Sequence, residues 1–67
     1  MLTIDAEREE GGRWIGEVAA LPGVMAYGAT EAAAHRNAAV LALRVIADRI
    51  EHGEPVPEEA QALFALA

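Results

Sequence analysis

The sequence predicts an α+β domain: a three-stranded antiparallel meander with a long helix on one face, followed by a short helical tail. Three observations predict it. Apolar and polar side chains alternate every second residue near the start of the chain, glycine and proline mark turns at 10–12 and 21–23, and helix formers run unbroken from Thr30 to Gly53.

Leu2, Ile4 and Ala6 alternate with Thr3, Asp5 and Glu7, the period of a half-buried strand over 2–9. Glu10, Gly11 and Gly12 form a polar loop in which glycine takes the positive φ of a bulged hairpin turn. The second strand covers 13–20. Pairing Glu9 with Arg13 sets Ile4 opposite Val18, Ala6 opposite Gly16 and Arg8 opposite Trp14, where the guanidinium can stack on the indole. This register leaves one face apolar, and a slip of one residue would mix charges into it. Leu21, Pro22 and Gly23 read as the next turn, and a third strand covers 24–28. A three-residue turn there sets Ala26 opposite Val18 and Gly28 opposite Gly16. Glycine weakens a strand interior, so both glycines point to close approach of another element.

Thr30 is placed as an N-cap, with Glu31 at the positive end of the helix dipole. The helix is about 33 Å long at 1.5 Å per residue, longer than the strands it covers. Spaced at 100° per residue, Ala34, Ala38, Leu41 and Val45 form one apolar stripe. Ala39, Leu43, Ile46 and Ile50 form a second, with Val40 and Ala47 at its margin. The second stripe needs cover, either from another subunit or from the tail over 58–67, which carries Leu63, Phe64 and Leu66. Leu43, Ile46, Ile50, Leu63 and Phe64 are therefore the candidate oligomer interface. The organisation expected is a βββα domain over 1–57 and a helical tail over 58–67.

A chain of 67 residues buries roughly 60% of its unfolded surface, and its core supplies about 3–5 kcal/mol. Zero cysteines and two histidines remove disulfides, thiolate sites and an all-histidine metal site, so a homo-oligomer, dimer or higher, is the expected source of further stability. Five basic residues against eleven acidic ones give a net charge of −6, which opposes direct DNA binding and favours a basic partner. No apolar run has the roughly 18 residues of a membrane helix, and the acidic, alternating start does not resemble a signal peptide. A cytoplasmic protein is expected. Serine and lysine are absent as well as cysteine, which removes the common covalent nucleophiles. A non-catalytic protein without cofactor or resident metal is the expectation.

The run GRWIGEVAALPGV (12–24), then YGATEA (27–32), then the helix exit RIEHGEPVP (49–57) resembles the HicB-like antitoxin family. The shared pattern is a glycine-rich hairpin followed by an aromatic residue, a Leu-Pro-Gly turn, a Gly-x-Thr helix start and a Gly-x-Pro helix exit. It covers residues 1–57. The resemblance implies a partial RNase H-like fold, usually dimeric, that binds and covers a small basic HicA-type toxin, an mRNA-cleaving ribonuclease. Family members often add a C-terminal DNA-binding module. The ten residues after Pro57 carry no basic side chain, so operator binding is not carried over. The alternative expectation is a solitary homo-oligomeric HicB-like protein without a toxin partner.

The sheet face turned away from the helix holds the candidate toxin-binding residues: Asp5, Glu7, Ile15, Glu17, Met25 and Tyr27. Apolar anchors ringed by acidic groups suit a basic protein, the anchors supplying affinity and the charges steering encounter. The same carboxylates could in principle hold Mg²⁺ for phosphodiester cleavage, but a full nuclease draws ligands from more elements than this chain has. His35 and His52 are seventeen positions apart and lie on different sides of the helix, so they do not act as a pair.

Overall fold

The structure, a computed structural model, describes residues 1–64; Leu66 lies outside them. The chain runs β1 (Ile4–Arg8), β2 (Trp14–Val18), β3 (Met25–Gly28), α1 (Glu31–Glu51) and α2 (Glu58–Gln61). The strands form one antiparallel sheet in the order β1-β2-β3, and α1 packs across its inner face, leaning over β2 and β3 more than over β1. This is the α+β meander the sequence predicts.

The first hairpin adopts the expected register, with Ile4 opposite Val18, Asp5 opposite Glu17 and Arg8 opposite Trp14. The Glu9 amide donates to the Arg13 carbonyl at 2.7 Å, and Gly11 and Gly12 carry φ values of 98° and 90° in the loop. Glycine reaches that region without the steric cost that a Cβ imposes.

The second hairpin corrects the sequence reading by two residues. Gly16 faces Ala26 and Trp14 faces Gly28, so the two glycines are not partners. The cause is Leu21. It is fully buried (0% exposed), and the loop becomes two successive turns that carry it into the core. The Leu21 amide donates to the Val18 carbonyl and the Val24 amide to the Leu21 carbonyl, each at 3.0 Å. Burying that one side chain is worth about 1.5–3 kcal/mol, enough to choose the longer loop over the tighter turn.

Both glycines do sit under the helix. A Cβ at Gly16 would lie 2.7 Å from the Ala34 carbonyl oxygen and 3.1 Å from the Ala38 Cβ, and a Cβ at Gly28 would collide with the backbone at Ala33 and Ala34. The sheet and helix therefore meet through glycine on one side and alanine on the other.

Thr30 caps α1 as expected, its Oγ1 accepting from the Ala33 amide at 3.0 Å. At the other end the Gly53 amide donates to the Ile50 carbonyl and the Glu54 amide to the Arg49 carbonyl, with Gly53 at φ 69°. These two bonds satisfy carbonyls the helix leaves open and reverse the chain. The tail then folds back on its own chain, where Ala60 joins the buried cluster of Val18, Leu21, Val24, Ala38, Ala42 and Ile46.

The buried stripe of α1 is Ala34, Ala38, Ala42 and Ile46, with Leu41 and Val45 half-buried against it. Ile46 thus belongs to the core (3% exposed), where the sequence reading places it in the second stripe. The returning tail and Leu21 widen the covered arc of the helix enough to enclose it.

Candidate protein-binding face

Alternation along the strands sends Asp5 and Glu7 of β1, Ile15 and Glu17 of β2, and Met25 and Tyr27 of β3 to the face opposite the helix. The observed registers align them in two rows, Asp5–Glu17–Met25 and Glu7–Ile15–Tyr27. All six sequence-predicted residues thus share one surface. Ile15 is half-buried and the other five are exposed. A shallow depression lies between β1 and β2, lined by Asp5, Ala6, Glu7, Ile15 and Glu17. Opposite side chains in such rows have Cβ atoms about 4.5–5.5 Å apart, so each row is a continuous strip for a partner to contact.

The charge on this face is unneutralised. Among the described residues Arg13 is ion-paired with Glu9 and the His52 ring lies 3.3 Å from the Asp48 carboxylate, and neither contact reaches Asp5, Glu7 or Glu17. The nearby cation is already committed: the Arg13 guanidinium holds Glu9 at 3.0–3.1 Å and lies 3.8 Å from the Tyr27 ring centroid. The sequence reading assigns cation stacking to Arg8 and Trp14; the observed stack is Arg13 on Tyr27. Residue 13 lies just before β2 and Tyr27 belongs to β3, so the stack follows from the corrected second register, which brings Gly28 opposite Trp14. It holds the phenol at one end of the face. Asn37 of α1 fixes the backbone beneath, its Nδ2 donating to the Tyr27 carbonyl at 2.9 Å.

A second assembly of residues lies at the far end of the helix. Leu43, Ile46, Ile50, Leu63 and Phe64, the candidate oligomer interface, together with Ala47 line a groove of about 480 Å³. Ile46 forms its buried floor. Leu43 and Ile50 are about half exposed and Phe64 is 73% exposed.

Sequence reasoning missed a third grouping. Asp48, His52 and Glu54 place ligand-type atoms within 4.8 Å of one another, all on exposed side chains. The His52 Nδ1 lies 2.7 Å from the Asp48 carbonyl oxygen, so the ring is engaged in finishing the helix. The four-residue spacing of Asp48 and His52 was legible, but the return of Glu54 depends on the chain reversal at Gly53. His35 stands apart, on the groove between α1 and β1. No helix among the described residues is long and apolar enough to cross a membrane.

Compared with models of protein families, with curated proteins and with solved structures, the chain matches none.

Proposed function

We propose that this chain is a HicB-like, non-catalytic binding protein of the cytoplasm that sequesters a small basic HicA-type ribonuclease by covering its active surface with the outer sheet face. The observation that carries the reading is the pair of rows Asp5–Glu17–Met25 and Glu7–Ile15–Tyr27, with unpaired carboxylates beside solvent-facing apolar side chains. A basic surface would neutralise the repulsion of Asp5 and Glu17 and gain Tyr27 and Met25 as anchors. The sequence resemblance over 1–57 and the net charge of −6 point the same way.

The test is a tagged pull-down from the native cell, washed at low and then high salt. Recovery of a small basic protein that salt releases supports the proposal. Its loss from Asp5→Lys, Glu7→Lys and Glu17→Lys combined assigns it to this face; retention by that variant removes the face from consideration.

The second reading, a solitary homo-oligomer, is favoured by the groove around Leu43, Ile50, Leu63 and Phe64. Light scattering across a concentration series tests it, and a monomer throughout would dismiss it.

A further inference from the structure

The two edges of the sheet are not equivalent. Antiparallel ladders alternate, so every second residue of an edge strand turns its amide and carbonyl away from the sheet. On β3 those residues are Met25 and Tyr27, since the Val18 amide binds the Val24 carbonyl, and the Tyr27 carbonyl is taken by Asn37. On β1 the inward pairs include Thr3 with Ala19 and Glu9 with Arg13, which leaves the amides and carbonyls of Ile4, Ala6 and Arg8 directed outward. No side chain or loop among the described residues bonds to them.

The space beside that edge is also open. Because α1 leans away from β1, two adjoining depressions open along the inner side of the strand, an apolar one lined by Leu2, Ile4 and Ala39 and a mixed one at Ala6 that also carries Glu31, with His35 on both. On the outer side the same strand presents Asp5 and Glu7. Arg8, at the hairpin end, has its Nη2 near Gly12. An edge with free backbone groups, a groove on one side that is apolar around Leu2, Ile4 and Ala39, and carboxylates on the other is a template for a strand that alternates apolar and basic residues.

A second copy of the chain does not fit. Antiparallel pairing of β1 with itself in its two central registers, inner faces together, sets Asp5 against the copy's Asp5 or Glu7, and like charges directly opposite destabilise a sheet.

We infer that β1 accepts an added antiparallel strand from a basic partner, whose lysine or arginine side chains lie beside Asp5 and Glu7 and whose apolar side chains enter the groove at Ile4 and Ala6. The inference rests on the basic-partner reading above and supplies its binding mode: a fourth strand in the sheet.

The probe is a fluorescein-labelled peptide of alternating lysine and valine, about ten residues long to exceed the strand it pairs with. In an antiparallel pair, residues that exchange hydrogen bonds share a face, so the valine amides point at β1 and the lysine amides point away. Anisotropy titration should show binding that weakens by about tenfold or more when the valine amides are N-methylated. It should change by no more than about twofold when the lysine amides are. A glutamate–valine peptide should not bind. On saturation, the Ile4, Ala6 and Arg8 amides should become protected from hydrogen exchange.

Equal affinity of both methylated peptides, or unprotected β1 amides at saturation, overturns the edge mode. If Asp5→Lys with Glu7→Lys still abolishes binding in that case, the basic-partner reading survives without it. Failure of the parent peptide to bind overturns the edge mode, while the cellular pull-down decides the broader reading separately.

Discussion

Asp5 and Glu17 face each other across β1 and β2 with no ion pair to either among the described residues. Directly opposed like charges destabilise a sheet, whereas an opposite-charge pair in the same place contributes about 0.2–1 kcal/mol. Glu17→Lys converts that repulsion into an opposite-charge pair, so the urea midpoint of the isolated protein should rise. The same change should weaken capture of a basic partner, chiefly by slowing association. Opposite signs in the two measurements mark a face kept acidic at a cost to folding. A fall in both would show that Glu17 is a structural residue.

Gly16→Ala and Gly28→Ala should each lower stability by about 1–3 kcal/mol, the range for forcing a methyl group into a packed contact. The obstacle is helix backbone at Ala33 and Ala34, which cannot swing aside as a side chain tip can. Chemical denaturation of the two variants checks this, and a change within about 0.5 kcal/mol would mean that α1 shifts freely over the sheet.

Ile46 and Leu43 are near neighbours on α1 with different exposures, 3% and 57%. Ile46→Asp buries an unpaired charge and should unfold the domain, as judged by circular dichroism. Leu43→Asp should leave the spectrum intact. If the groove joins copies, Leu43→Asp lowers the oligomeric mass seen by light scattering; an unchanged mass above that of the monomer assigns the contact to another surface.

Leu21→Ala should cost about 2–5 kcal/mol, comparable to the whole stability of so small a core, and leave the chain largely unfolded at room temperature. Thr30→Ala removes the Oγ1 bond to the Ala33 amide and should cost about 0.5–2 kcal/mol. Thermal melts order the two, and a larger loss from Thr30→Ala would show that helix capping outweighs loop burial here.

The first hairpin was legible because a slip of one residue moves every side chain to the wrong face, and alternation forbids it. The second was not, because a slip of two keeps each side chain on its own face, and pattern alone cannot detect the change. What decides between the registers is whether Leu21 belongs to the turn or to the core, a tertiary question. Ile46 was misplaced for a related reason: helical period assigns residues to sides, but the covered width of a side depends on where Leu21 and Ala60 end up. The six residues of the outer face survived the register correction because their side was fixed by parity. The open edge of β1, the Asn37 bond to Tyr27 and the Arg13 stack depend on pairing and lean between elements, which no single strand records.

A helix seated on Gly16 and Gly28 through Ala34 and Ala38 has consequences for mutational drift. In an interface of leucines and valines, one residue can shrink while its neighbour grows. Here two positions are already at the smallest size the genetic code offers, and growth meets main chain. A library randomised at 16, 28, 34 and 38 and selected for folding should return glycine at the first two and little beyond alanine at the others. Libraries over the outer face, screened the same way, should return nearly every polar residue. The protein's freedom to acquire new partners therefore lies on the side of the sheet that the helix never touches.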